Sequence, residues 1–396
     1  MIVGDCMQYD AVIVGAGFAG AVAARELAEK NKKVLIIDRR NHVAGNMYDE
    51  VDENGILIQK YGPHFFVVRR WWPVEYISRF SELYVYQPRA MSMVDGKYIW
   101  RPYNFHALQQ LLGPENSEPV LKAIKESFPN QRSVTIWELL NHENEAVKNY
   151  GQLLFDKVFT PYIAKQWGKR PDEIDKAVID RTRVPLGYEW QIDDEDYQYL
   201  PKYGYTKLFE NMLDHPNITV ELGVDALDTI TFSADGTKAL YKGEDVPHII
   251  YTGALDELFG FEYGELPYRS RYFDFATYDA DEHKQPVEVI TFPGDDAKHL
   301  RQTEFKTFNY YASEPKNNKT TVALEYSVPF DRKADTGNEP YYPIINEETR
   351  ALHAKYVDKA SKVSNFYFIG RLAEFKYLDM DYAMESAIEL VKEILG

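Results

Sequence analysis

Gly15, Gly17 and Gly20 follow the apolar run Ala11-Val12-Ile13-Val14 and open the stretch Ala21-Val22-Ala23-Ala24-Arg25-Glu26-Leu27. That spacing suits a turn that receives a pyrophosphate. Gly15 allows the tight turn, Gly17 lets the backbone approach the phosphates, and Gly20 lets helix and strand pack closely. The helix that follows presents its free N–H groups and positive dipole end to the anion. Lys33-Val34-Leu35-Ile36-Ile37 then closes on Asp38, 18 residues past Gly20, where an acid can bind a ribose hydroxyl. Strand, glycine turn, helix, strand and acid stand in register, so the unit is expected to hold a dinucleotide.

The elements that must position this turn are spread along the chain. Residues 9–46 read as a βαβ unit, and Gly55–Gln59 as a strand leading to Tyr61-Gly62-Pro63-His64. Residues 105–165 carry apolar positions three to four apart and few strand signals, which predicts helices. Asn104 is placed to start one, and Thr135 with Glu138 to cap another. Alternation predicts strands over 217–252 and an antiparallel sheet from Tyr272–Tyr278, Val287–Phe292, Thr303–Tyr311 and Thr320–Tyr326. A helix over 347–363 precedes the strand Phe366–Gly370, and a last helix runs from about Met380 to Leu395. The expected fold class is α/β: a Rossmann-type domain, expected to bind FAD, with an inserted helical domain and an antiparallel β-sheet domain. The expected division gives 1–90, 205–265 and 350–396 to the first, 91–185 to the second, and 186–204 with 266–349 to the third. A late strand, glycine, arginine and helix returning to the first sheet favour FAD over NAD, by analogy with other such layouts.

Composition narrows the partners. The 396 residues carry a net charge of −17, which argues against a nucleic-acid or anionic-membrane surface. An anionic substrate therefore needs a local basic pocket. Thirty tyrosines and six tryptophans suit stacking sites, although aromatic residues mostly build cores. The single cysteine excludes an internal disulfide and a thiolate metal cluster, and no metal site is expected. No basic flank with an apolar run stands at the N-terminus and no apolar stretch has transmembrane length, so a cytoplasmic location without membrane insertion is expected.

Several blocks resemble the flavin-dependent UDP-galactopyranose mutase family. They are Gly15-Ala-Gly-Phe-Ala-Gly20, Asp38-Arg-Arg-Asn-His-Val-Ala-Gly-Asn46, Tyr61-Gly-Pro-His64, Lys165-Gln-Trp-Gly168, Gly204-Tyr-Thr206, Tyr251-Thr-Gly253, Tyr268-Arg-Ser270, Glu339-Pro-Tyr-Tyr-Pro343, Gly370-Arg-Leu372 and Tyr377-Leu-Asp-Met-Asp381. They recur in order through almost the whole chain. The resemblance implies an isomerase that interconverts UDP-galactopyranose, or a related nucleotide hexopyranose, and its furanose form, through a reduced-flavin N5–sugar C1 adduct. It implies FAD active when reduced, an NAD(P)H or other reductant, a UDP- or dTDP-hexose substrate, and a homo-oligomer. The product would serve cell-surface polysaccharide synthesis.

The same resemblance assigns roles. Arg181, 14 residues past Trp167, and Arg301 would clamp the diphosphate. Tyr341 and Tyr377 would donate to phosphate oxygens without adding charge. Tyr162 and Trp167 would line the nucleotide and sugar pocket, Asp379 would sit near the active site or cap the last helix, and His64 would face the flavin. Cofactor contacts would come from Gly15, Gly17, Phe18, Ala19, Gly20, Asp38, Arg39, Gly45, Asn46, His64, Gly370, Arg371, Tyr377, Leu378, Asp379 and Met380. Departures fall near the flavin, at Val67-Val68-Arg69 after His64 and at Pro88-Arg89, in the uridine pocket at Ile192-Asp193, and around the second arginine at Leu300 before Arg301 and Phe305-Lys306-Thr307. They predict kept chemistry with a drifted substrate, such as dTDP-fucose or UDP-N-acetylgalactosamine. Arg69-Arg70-Trp71-Trp72 reads as an interface rather than an anion site. Outside the isomerases, an amine-oxidase-like FAD oxidoreductase shares the opening and closing elements, and a non-catalytic flavoprotein would fit the altered loop.

Overall fold

The runs Ala11–Val14 and Val34–Asp38 are apolar and rich in β-branched residues up to the closing Asp38, and every residue in them except Val14 is buried. Strands of that kind belong in a parallel sheet covered on both faces. The computed structural model, which describes residues 9–174, 176–180, 182–189, 197–280, 283–308 and 310–396, places them at the centre of a five-stranded sheet. The order is Ile218–Leu222, Val34–Asp38, Ala11–Val14, His248–Tyr251, Phe366–Phe368. All four pairings are parallel, and Ile13 lies between Ile36 and Ile250. Numbered along the chain this order is 3-2-1-4-5. The winding therefore reverses between Ala11–Val14 and His248–Tyr251, and a crevice opens there at the carboxyl ends of the strands. The helix Phe18–Glu29 and the terminal helix Met380–Leu395, with the expected ends, pack on each other. Their buried faces and Phe66, Tyr205 and Phe209 share one core.

The second sheet has seven strands. Their order is Tyr342–Pro343, Tyr268–Asp279, Lys319–Pro329, Arg301–Glu304, Val289–Thr291, Ala90–Val94, Lys97–Arg101. All neighbours are antiparallel except Val289–Thr291 and Ala90–Val94, which run parallel. Two expectations change here. Residues 91–101, assigned to the helical segment, form the far edge of this sheet, and the helices begin at Phe105. Tyr197–Pro201, expected with the large sheet, pairs instead with Phe66–Val68 and Leu83–Val85. The strand expected over Thr303–Tyr311 also stops early, at Glu304. Phe305 and Phe308 are both fully buried, and a 3₁₀ turn sets such an i, i+3 pair on one side where a strand cannot.

The helical segment has its own core, from Ile99 and Phe105 to Trp167 and Val184. Its caps follow the sequence. Asn104 accepts from the N–H groups of His106 and Ala107, and Thr135 and Glu138 form a reciprocal capping box. The helix Glu145–Leu154 passes through a π turn, Phe155–Phe159, into Thr160–Trp167. The inserted residue shifts the helical register by about one position. Val158, Phe159, Tyr162, Ile163, Gln166 and Trp167, spaced to share one helix face, all line one cavity. The Lys165-Gln-Trp-Gly168 block docks this helix on the large sheet. Lys165 Nζ donates to the carbonyls of Phe292, Gly294 and Ala297, and the Gln166 carbonyl accepts from Arg269 Nε at 2.9 Å and from the Ser327 hydroxyl. Gly168 ends the helix at φ 65°, where a side chain would also press on the Arg269 guanidinium. No helix among the described residues is long and apolar enough to cross a membrane.

Candidate active site

The glycine turn forms one wall of a cleft at the crevice. Gly15 has φ +100°, and Gly20 packs so closely that a Cβ there would stand 1.9 Å from the Gly15 carbonyl oxygen. Gly17 is the N-cap of Phe18–Glu29. Gly45 approaches it so tightly that an added Cβ would lie 3.0 Å from the Gly17 Cα, and Gly370 closes the opposite side at φ +92°. Every expected cofactor residue except His64 and Tyr377 lines this cleft: Gly15, Gly17, Phe18, Ala19, Gly20, Asp38, Arg39, Gly45, Asn46, Gly370, Arg371, Leu378, Asp379 and Met380. Bare backbone around a helix N-terminus fits a pyrophosphate and leaves no side chain in its path. Asp38 is buried, and its two oxygens accept from the N–H groups of Ala16 at 2.8 Å and Arg40 at 2.9 Å. It therefore holds the turn as well as facing the cleft. Arg39 and Arg40 both pair with Glu339, which joins the Pro-Tyr-Tyr-Pro block to the opening βαβ unit.

A second cavity lies in the helical segment beside the large sheet. It is lined by Tyr162, Trp167 and Tyr377, as expected, and also by Arg101, Tyr103, Gln166 and Thr182. Neighbouring residues of one short segment line the two cavities, Tyr377 the second and Leu378 and Asp379 the first. Arg371 ties the segment down. Its Nη2 donates to the Leu378 carbonyl at 2.6 Å, and its guanidinium lies 5.2 Å from the Tyr377 ring centroid.

Strand register brings the charged groups to this junction. Arg301 pairs with Glu325 across the sheet and with Thr291 on its other side. Partners in register share a face, so Glu325, Arg301 and Thr291 form one row. Glu325 is almost completely buried and bridges Arg301 and Arg271. Burial and the nearby Arg271 lower the Arg301 pKa to about 10, which still leaves it charged at neutral pH. The Arg271 and Arg371 guanidinium carbons lie 5.0 Å and 4.9 Å from the Tyr342 ring centroid, and Tyr342 stacks on Tyr377 at 5.1 Å and 7°. Burial alone would raise the Tyr342 pKa. Arg271, Arg371 and Arg301 outweigh it and bring the phenol down to about 8. Through Tyr342 and Tyr377, Arg271 and Arg371 thus stand beside the segment whose residues line the two cavities.

His64 is held by the loop that precedes it. Its Nδ1 lies 2.8 Å from the Gly62 carbonyl, and its backbone N–H donates to Gln59 Oε1. Burial, with Arg371, Arg301 and Arg271 nearby, lowers its pKa to about 3, so the ring is neutral. With Nδ1 protonated toward the carbonyl, Nε2 is left as an acceptor.

The expected sets are thus partly regrouped. Arg181, Ile192 and Asp193 lie outside the described residues; Thr182, next to Arg181, lines the second cavity. Tyr341 is buried in the cofactor cleft with Asp379, while its neighbour Tyr342 stacks on Tyr377. Asp379 is the N-cap residue of the terminal helix but makes no capping hydrogen bond with its side chain. Tyr377 belongs to the second cavity rather than the first. Sequence reasoning missed Arg101, Arg271, Glu325 and Tyr342. Glu325 left a signal: an acid in the buried phase of the strand Lys319–Pro329, after Thr321 and Ala323. Arg70 pairs with Glu385 and Asp381 of the terminal helix, in keeping with the interface reading of its block.

Fold and site together define a doubly wound dinucleotide-binding enzyme with a helical insert and a second cavity, holding Arg101, beside the glycine cleft. Residues 13–74 match the NAD(P)-binding Rossmann-like domain, and residues 157–377 match the UDP-galactopyranose mutase family. A UDP-galactopyranose mutase from Mycoplasma pneumoniae is 31% identical over 98% of this chain and 96% of its own. A dTDP-fucopyranose mutase from Escherichia coli is 34% identical over 96% of each chain. A crystal structure of reduced UDP-galactopyranose mutase superposes with a TM-score of 0.72 at 17% identity, covering 98% of this chain and 96% of that one, which is a likeness of fold. The chain belongs to the UDP-galactopyranose mutase family, a family of isomerases.

Proposed function

We propose that this chain interconverts the pyranose and furanose forms of a nucleotide-linked hexose, UDP-galactopyranose or a relative such as dTDP-fucopyranose, with reduced FAD in the glycine cleft. The observation that carries the reading is the segment Tyr377-Leu378-Asp379, whose neighbouring residues line the two cavities and which Arg371 ties down. Reduced flavin supplies a nucleophilic ring nitrogen for the anomeric carbon. The chain's own groups do the rest. The N–H groups at the start of Phe18–Glu29 and the backbone of Gly15, Gly17 and Gly370 take the cofactor pyrophosphate, and Arg39, Gly45, Asn46 and Met380 close around it. Arg301, and Arg181 with it, stabilise the charge that grows on the departing nucleoside diphosphate. Tyr342 and Tyr377 donate hydroxyl hydrogens to its oxygens. Tyr162 and Trp167 cover the base and exclude water. His64 stays neutral and offers Nε2 as an acceptor at the sugar face. A reductant of the NAD(P)H class keeps the cofactor competent.

The altered substrate contacts and the dTDP-fucopyranose mutase likeness leave two substrates to compare. Dithionite-reduced protein is expected to interconvert ring forms and oxidised protein is not. UDP-galactose, dTDP-fucose and UDP-N-acetylgalactosamine, tested side by side, rank the substrates by turnover. Clear preference for UDP-galactose defeats the idea of drift. Turnover coupled to steady oxygen consumption defeats the isomerase reading itself.

A further inference from the structure

Arg101 ends the strand Lys97–Arg101 at the edge of the large sheet. The register continues Arg301, Thr291, Ser92, Ile99 across the sheet, and Arg101 is two residues past Ile99. It therefore stands on the face that carries Glu325 and Arg301. Its Nη1 donates to Thr291 Oγ1 at 3.0 Å, while its Nε is buried and has no hydrogen-bond partner. Tyr103, whose hydroxyl is 2.7 Å from Ser92 Oγ, lies beneath the guanidinium at 5.8 Å. Side chain and ring both line the second cavity, whose lining holds no carboxylate among the described residues.

The contrast with its neighbours is one of charge. Arg271 and Arg301 share the carboxylate of Glu325, and Arg301 spends both Nε and Nη2 on it. Arg101 forms no ion pair among the described residues, and its Nε–H is unmet. We propose that Arg101 is a substrate-binding residue for the nucleoside diphosphate, supplying there a positive charge that no carboxylate among the described residues shares, whereas Arg271 and Arg301 divide that of Glu325. A diphosphate offers only acceptors and a guanidinium only donors, and the match is one of both charge and hydrogen bonding. A neutral base edge would satisfy the N–H but leave the charge unbalanced in a partly desolvated site. The inference rests on the reading that this cavity takes a nucleotide sugar, and it adds a residue to the set that the family resemblance supplied.

The test uses flavin-loaded holoenzyme and calorimetric titration with UDP, dTDP, uridine, thymidine and inorganic pyrophosphate. Arg101→Leu is expected to weaken UDP and dTDP at least tenfold and to change nucleoside binding less than twofold. Arg101→Lys should recover part of the loss, and the salt dependence of UDP binding should flatten in Arg101→Leu. Where Arg101→Leu does not fold, Arg101→Gln, which keeps donors and loses charge, is expected to show the same diphosphate-selective loss. Equal losses on nucleoside and diphosphate overturn the proposal in favour of base reading, and no loss on diphosphate overturns it outright. Wild-type protein that binds neither diphosphate nor pyrophosphate also overturns it. Wild-type protein that binds UDP through Arg101 yet never interconverts ring forms defeats the proposed function alone.

Discussion

Arg301 sets both Nε and Nη2 2.6 Å from Oε2 of Glu325, and the carboxylate is 1% exposed. A pair so placed is a positioning device as much as a source of stability, because burying both charges cancels much of their attraction. The two ends of the pair should therefore fail differently. Arg301→Ala is expected to abolish most ring interconversion while flavin content stays at the wild-type ratio, since Arg301 is not part of the cofactor cleft. Unchanged turnover would refute its assignment. Glu325→Gln leaves Arg271 and Arg301 buried without their counter-charge, and breaking a buried pair typically costs about 3–5 kcal/mol. Denaturation of Glu325→Gln should show a loss of that order; a loss near zero would mean the three groups are solvated in solution.

Tyr342 offers a spectroscopic reading of the same charges. Its phenol is brought down to about 8 by Arg271, Arg371 and Arg301 against the effect of burial. The folded pKa lies below the unfolded one, so the stability this group contributes is fully present above the unfolded value near 10 and is lost as pH falls through 8. An ultraviolet difference titration of folded protein should show one phenol ionising near pH 8, and Tyr342→Phe should remove that step. Added UDP or dTDP should move it upward, because the incoming diphosphate neutralises the arginines. A step that nucleotides leave in place would separate Tyr342 from the substrate site.

The opening unit was the legible part of the chain. Its glycines, strand runs and acid are local signals, and Gly15 turns and Gly20 packs as their spacing implies. The terminal helix was equally legible, since Met380–Leu395 carries a strong apolar stripe. What stayed hidden depends on pairing between distant segments. Nothing local says that Lys97–Arg101 joins a sheet completed some 240 residues later by Tyr342–Pro343, and so Arg101 and Arg271 had no visible partners. Tyr341 and Tyr342 show the remaining difficulty. They are adjacent in one short block, and a shift of one residue moves a side chain to the opposite face.

Lys165 tests whether the helical segment must be docked for the second cavity to exist. Its ammonium serves three carbonyls, and burial lowers its pKa. Lys165→Met keeps the stem and leaves those carbonyls unmet, at a cost of about 1–3 kcal/mol. The expected outcome is a lower melting temperature together with a raised KM for the nucleotide sugar and an unchanged flavin content. A raised KM without lost stability would place Lys165 on the substrate instead.

His64 gives the pH prediction with the clearest sign. Its folded pKa is about 3, well below the ordinary 6.5, because burial and the neighbouring arginines oppose its protonation. The unfolded chain therefore takes up a proton between pH 6.5 and 3 that the folded protein refuses, and stability falls as pH drops through that window. At pH 5 the unfolded chain is favoured by about 2 kcal/mol from this group alone, from 1.36 kcal/mol per pKa unit. His64→Gln removes the titration, although it also loses the Nδ1 contact with Gly62 and should be less stable at pH 7. Denaturant midpoints at pH 7 and pH 5 separate the two effects. The wild-type protein should lose about 2 kcal/mol more between those pH values than His64→Gln does. The same neutrality predicts that the acid limb of kcat/KM does not belong to His64, so it should survive in His64→Gln with its midpoint unmoved. Equal acid sensitivity of stability in the two proteins, or a limb that shifts with the substitution, would show that the ring is protonated in the folded enzyme and that it works as an imidazolium.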